Sequence, residues 1–166
     1  CFRTYNLSKF QQSNLKETIE NKISILKDYL KANPKIKEVI FSGGDPLTIG
    51  YDNMKFALEE LKQFDIRIHT RSIVYEPSIF TKKMIALLSE HNVRLVFHIN
   101  HPYELDDVVE KKINEIRQSG IRMYSQFPLL RGINDNSKVL IKLLIKQLLD
   151  GVSILAIEKN CFPLDT

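Results

Sequence analysis

The sequence predicts an α/β fold of parallel strands, a partial (β/α) TIM-like barrel, and three observations carry that prediction. Helix-period and strand-period stretches alternate without interruption, recurring every roughly 28 residues. The strand stretches are apolar throughout, as expected when both faces of a sheet are covered, with the helices on the outer face of the barrel. Polar residues stand after nearly every strand: Ser42 to Asp45, His69-Thr70-Arg71, His98 to His101, Ser125-Gln126 and Asn160-Cys161. An open doubly wound sheet concentrates its ligand contacts at one switch point. A barrel collects them from the C-terminal ends of many strands, so the pattern favours the barrel over the open sheet.

The elements follow in order. Leu15, Ile19, Ile23, Leu26 and Leu30 are spaced for a helix over 14–32, which Asn33-Pro34 closes. Strands are expected at 37–42, 65–70, 93–99, 121–127 and 152–157. Helices are expected between them at 52–63, 79–90, 104–118 and 136–149. Ser78 and either Asp135 or Asn136 are suited to N-caps, and Gly120 and Gly151 to helix ends. No repeat, low-complexity tract or linker interrupts the series, and an antiparallel pair among the five strands would contradict it.

Composition excludes several classes. At 166 residues and 43% hydrophobic the chain can bury one real core. The net charge of +4 comes from lysines spread along helical stretches, such as Lys16, Lys22, Lys27 and Lys31. That is a solvated face; a nucleic-acid surface would cluster arginines with interleaved aromatics. No apolar run reaches the ~20 residues of a membrane helix, and the start lacks a secretory signal. Cys1 and Cys161, far apart in sequence, form no disulfide framework, which points to a reducing cytoplasm. The chain starts on Cys1 and stops at Thr166 without a closing helix, so it reads as a fragment.

The residues with chemical potential each have a plain structural alternative. Val39-Ile40-Phe41 runs into Ser42-Gly43-Gly44-Asp45, which is either a simple βα turn or a lip whose backbone meets a polar ligand. It lacks the Gly-Lys-Ser/Thr ending of a P-loop and is not a G-x-G-x-x-G fingerprint. His98 and His101 have a metal-pair spacing, but positions three apart on a strand face opposite ways. His98 at a strand end suits hydrogen bonding, or a satisfied place in the core. Gln126, at the end of the strand, either offers donor and acceptor to a barrel mouth or bonds loop backbone. Arg3 is a carboxylate fork or an ordinary surface arginine. Ser42, Gly43, Gly44, Arg71, His98 and Gln126 are expected to converge on one concave mouth.

Taken together, these segments resemble the lysine 2,3-aminomutase branch of the radical S-adenosylmethionine (SAM) enzymes. Cys1-Phe2-Arg3 is similar to the end of that branch's C-x-x-x-C-x-x-C-F-R segment. Phe41 to Leu47, Ile66 to Arg71, His98 to Glu104, and Gln126 to Asp135 match further blocks in the family's order. The likeness runs from Cys1 to about Val152. It implies a radical SAM core over 1–166, incomplete at both ends, with a partial (β/α) barrel. It also implies a 4Fe–4S cluster held by three cysteines, Cys1 being the third, with one iron open to SAM. Reduction then yields a 5′-deoxyadenosyl radical, which takes hydrogen from an amino acid bound to pyridoxal phosphate (PLP), and the amino group migrates. By position, Ser42, Gly43, Gly44 and Asp45 would line the methionine end of SAM, and His98 and Gln126 its nucleoside. Arg71 falls in the same SAM-binding set, and Arg3 would hold the substrate carboxylate. The resemblance assigns no catalytic residue. It implies an amino-acid substrate and an electron donor such as flavodoxin or ferredoxin, and leaves homo-oligomerisation open.

Two departures qualify the match. The family's other two cysteines would precede residue 1 and its PLP-anchoring lysine would follow residue 166, so the fragment alone is expected to be inactive and to assemble no cluster. After Val152 the family shows Pro-Tyr-Tyr and then a substrate-binding aspartate; here the run is Ile154 to Cys161, with Cys161 nearest the aspartate's place. Lysine therefore does not follow as the substrate, and Cys161 is read as a buried or loop cysteine. Two other readings stand beside this one: a PLP-independent radical SAM enzyme, and a degenerate, non-catalytic nucleotide-binding α/β module.

Overall fold

A computed structural model describes residues 15–159. Cys1, Arg3 and Cys161 lie outside the described residues. Helix α1 (Leu15–Ala32) leads into β1 (Glu38–Phe41), α2 (Tyr51–Glu60), β2 (Asp65–Thr70) and the single turn α3 (Ser72–Tyr75). Then come α4 (Lys82–Glu90), β3 (Arg94–Phe97), α5 (Asp107–Gln118), β4 (Arg122–Leu129), α6 (Ser137–Leu149) and β5 (Val152–Lys159). Three short 3-10 turns, each opened by a proline, occupy Pro46–Ile49, Pro77–Ile79 and Pro102–Glu104.

The sheet has the order β1-β2-β3-β4-β5, and all four pairings are parallel. With right-handed crossovers, an order that never reverses lays its helices on one face. That is the arrangement of a β/α fold without a doubly wound switch point. Burial agrees. Ile66, Ile68, Leu95, Phe97, Met123 and Phe127 alternate along their strands and join the helical Met54, Leu58, Leu88, Ile113 and Leu143 in one buried cluster. Phe80 meets Phe97 edge-on at 6.1 Å, a favoured geometry for aromatic pairs.

The strands are not apolar throughout. At the N-terminal ends of β1, β2 and β3, side chains one position out of step with the core carry charge, although Val96 on that face is fully buried. Glu38 bridges Arg67 at 2.7 Å and Arg94 at 3.0 Å, and Arg94 also reaches Asp65 at 3.2 Å. Short strands with one charged face were misread because the apolar residues between the charges dominate a run of four to six.

Two helix starts fall later than the sequence expectation for a local reason. Ser78 is not a helix cap: Pro77 opens a 3-10 turn there, and α4 starts after Thr81, whose side chain accepts from the Met84 N–H at 3.1 Å. Likewise Pro102 forms a turn over 102–104, and α5 is capped by Asp106, which accepts from Val109 N–H at 2.9 Å. Of Asp135 and Asn136, Asn136 is the cap of α6, while Asp135 accepts from the Gly132 N–H. No helix among the described residues is long and apolar enough to cross a membrane.

Candidate active site

Parallel strands put all their C-terminal ends at one edge, and the register aligns the residues there. Phe41 pairs with Ile68, Thr70 with Phe97, and Phe97 with Ser125. The next residues, Arg71, His98 and Gln126, therefore form one row, with the Ser42–Asp45 loop beside it.

The loop is built around two glycines. Gly43 has φ 85° and Gly44 φ 61°, a region L side chains rarely adopt. A Cβ on either would meet nothing within 4 Å. Conformation rather than crowding thus requires glycine, and the loop backbone stays open to whatever approaches it. Ser42, Gly43, Gly44 and Asp45 border a cleft of about 340 Å³ that also touches Lys22, Ile40 and Thr48. Arg71, His98 and Gln126 do not line that cleft; they belong to the row beside it.

Asp45 does not offer its carboxylate outward. It accepts from Thr70 Oγ1 at 2.8 and 2.9 Å, from the N–H groups of Arg71 and Ser72 at 2.8 and 3.0 Å, and from Leu47 N–H at 3.2 Å. The carboxylate fastens the loop after β1 to the end of β2. Any ligand role of this position passes through the backbone it holds.

Arg71 extends across the row. Its guanidinium donates to the His98 carbonyl at 3.1 Å and pairs with Glu104 at 2.7 Å. The other Glu104 oxygen accepts the Asn100 N–H at 2.8 Å. His98 N–H in turn donates to the Thr70 carbonyl at 3.0 Å, carrying the β2–β3 ladder one step past Phe97. Fully buried Asn134 donates to the carbonyls of Asn100 and Pro128, tying the end of β4 to the loop after β3.

His98 Nε2 lies 3.3 Å from His69 Nδ1, the rings crossing at 78°. Both histidines titrate below their ordinary range. Burial is the main cause for each; the neighbouring His98 and Arg67 charges add to it at His69, and Arg71 adds to it at His98. His101, by contrast, is a cap: its ring accepts from the Tyr103 N–H at 3.2 Å. Among the described residues no group of three or more His, Cys, Asp or Glu side chains is placed to hold a metal.

Gln126 does not end its strand. It sits inside β4 at a register shift between Ser125 and Gln126, and the strand continues to Leu129. Its amide donates to Glu158 on β5. Sequence reasoning missed Glu158, His69 and Glu104 as partners in the row. Glu104 and His69 lie inside recognisable segments and could have been named. Glu158 could not, because the bulge that brings it opposite Pro128 and beside Gln126 leaves no mark in the sequence.

No protein-family model matches the chain. It is 35% identical over 149 residues to the L-lysine 2,3-aminomutase of Buchnera aphidicola subsp. Baizongia pistaciae, covering 86% of this chain and 42% of that protein. It is 33% identical over 148 residues to the L-lysine 2,3-aminomutase of Methanococcus maripaludis, covering 86% of this chain and 33% of that protein. It is 30% identical over 154 residues to the glutamate 2,3-aminomutase of Clostridioides difficile, covering 90% of this chain and 35% of that protein. The chain thus spans less than half the length of the curated relatives it matches.

Proposed function

The chain belongs to the lysine 2,3-aminomutase family, and on that premise we propose that it forms part of a radical SAM isomerase that moves an amino group between neighbouring carbons of an amino acid. The observation that carries the reading is the open Gly43–Gly44 backbone standing beside the Arg71–His98–Gln126 row at one sheet edge. The residues fit SAM. The loop backbone accommodates a close ligand, and two buried polar atoms near the row, His69 Nε2 and Asn100 Oδ1, have no hydrogen-bond partner.

When bound, SAM with a 4Fe–4S cluster and PLP would supply the one-electron chemistry that removes a hydrogen atom from the substrate and the group that carries its nitrogen. This chain's residues do the holding. Ser42, Gly43 and Gly44 would present backbone groups to the methionine end, in a loop kept in shape by Asp45. His98 and Gln126 would meet the nucleoside, and Arg71 would brace the row through Glu104. By resemblance, Cys1 would ligate the cluster and Arg3 would take the substrate carboxylate. The relatives are named for both lysine and glutamate, so the proposed substrate class is an α-amino acid. A flavodoxin or ferredoxin would serve as electron donor in a reducing cytoplasm.

The test is made on the full-length gene product, reconstituted anaerobically with iron and sulfide. With SAM and dithionite it should release 5′-deoxyadenosine and, given PLP and lysine or glutamate, the corresponding β-amino acid. Cys1→Ala should abolish both. A reconstituted protein that neither binds nor cleaves SAM, or a Cys1→Ala variant that cleaves it normally, would overturn the reading.

A further inference from the structure

His69 and His98 face each other across β2 and β3, and their surroundings decide where each carries its proton. A neutral imidazole has one N–H and one bare nitrogen, and the hydrogen bond made by one nitrogen fixes the state of the other. His69 Nε2 is buried and has no hydrogen-bond partner. Arg67 stands two positions earlier on the same face of β2, its positive charge acts on His69, and its Nε is also buried without a partner. Nε2 is unpaired in either state, so the Arg67 charge decides: it favours a lone pair there and repels an N–H. The His69 proton therefore belongs on Nδ1, the nitrogen 3.3 Å from His98 Nε2. His69 Nδ1–H then donates to His98 Nε2. His98 accepts there and must carry its own proton on Nδ1.

The geometry points to His69 as a positioning residue that fixes the tautomer of His98, so that His98 presents Nδ1–H as a donor to an acceptor atom of the bound nucleoside, a ribose oxygen or a purine ring nitrogen. The inference rests on the SAM reading of the row for the identity of the ligand, but not for the tautomers. The charged groups that act on the pair are Glu38 on β1, Arg67 on β2, Glu158 on β5, and Arg71 and Asp45 from the loops. The acids oppose the lowering of the histidine pKa values, and burial outweighs them. Each ring is then neutral and carries one proton, which is what the Nδ1–H to Nε2 hydrogen bond between them requires.

Imidazole 15N chemical shifts of the full-length protein at pH 7.5 read the tautomers directly, without substrate or turnover. The expected result is a protonated Nδ1 and bare Nε2 on both rings. His69→Leu should return His98 to a mixture of tautomers and weaken SAM binding about tenfold, the scale of one lost hydrogen bond to a polar ligand. His69→Asn, whose amide N–H stands where Nδ1–H was, should restore the His98 tautomer and bring affinity back to within roughly threefold of the parent. His98 protonated on Nε2 in the parent protein, or His69→Leu leaving the His98 tautomer unchanged, would overturn the inference. Unchanged SAM affinity in His98→Ala would instead overturn the ligand reading of the row, and the tautomer spectrum tells the two failures apart.

Discussion

The Asp45 carboxylate accepts the backbone N–H of Arg71 at 2.8 Å, so the loop after β1 is held by the end of β2. Thr70 Oγ1 and the Ser72 N–H close on the same carboxylate at 2.8 and 3.0 Å. These donors are buried or nearly so, and a buried donor that loses its acceptor costs more than the bond contributed. Asp45→Ala should therefore destabilise the fold by about 2–5 kcal/mol, as removal of a buried network does. Asp45→Asn should cost less, because one carboxamide oxygen still accepts while its NH₂ opposes a donor. Urea unfolding of the two variants checks the order. Glu59→Ala, which removes only an exposed pair with Lys55, should change stability by less than about 0.5 kcal/mol.

Gly43→Ala tests why the loop contains glycines. The φ of 85° lies in the left-handed region, and no atom crowds the missing Cβ. The cost should then be conformational alone, about 1–2 kcal/mol, and Gly43→Val should cost more because a β-branched residue tolerates that region least. A Gly43→Ala variant as stable as the parent would mean the loop relaxes out of this conformation. On the proposed function both variants should also lose SAM affinity, since a shifted loop withdraws the backbone groups the ligand meets.

Much of the frame was legible because alternation is a strong signal. Each helix–strand unit from β1 to β5 could be counted, and the parallel order followed from crossover geometry. The pairing confirms it. What escaped was set by tertiary context. Pro77 and Pro102 make 3-10 turns that displace the helix starts to Lys82 and Asp107. The charged face of Glu38, Arg67 and Arg94 exists only because neighbouring strands bring opposite charges into register. Gln126 was expected at the end of its strand, yet β4 runs on through Pro128 to Leu129. The positions of Ser42 to Asp45, Arg71 and His98 after their strands were readable; the Asp45 clamp and the His69–His98 pair were not, since both join residues more than twenty positions apart.

Gln147 makes a different point about stability. It is fully buried on α6, and neither its amide nitrogen nor its oxygen has a hydrogen-bond partner. Burying a polar group without a partner is unfavourable, and replacing it with an apolar side chain of similar shape removes that penalty. Gln147→Met conserves length and volume, so it should stabilise the fold by about 1 kcal/mol. Gln147→Ala should not, because the cavity it opens offsets the gain. Thermal melts of the two variants would separate these cases, and a Met variant less stable than the parent would mean that an ordered water satisfies the amide.

The histidine pair makes stability depend on pH in a definite direction. Both rings titrate below 6.5, the value expected for an unfolded chain, and burial is the principal cause. The folded state therefore favours the neutral rings, and near pH 7.5 both states are mostly neutral, so the pair imposes no penalty. As pH falls through about 6.5 the unfolded chain takes up protons that the folded pair resists, and stability declines until the folded pair titrates in turn. Unfolding free energy should be lower at pH 5.5 than at pH 7.5 for this reason. His69→Asn removes one of the two titrating rings while keeping a donor toward His98, and should flatten that slope between pH 7.5 and 5.5. Urea titrations at a series of pH values read it directly. Equal slopes in parent and variant would assign the acid sensitivity to other groups, whereas a shallower slope in His69→Asn would place it in the His69–His98 contact.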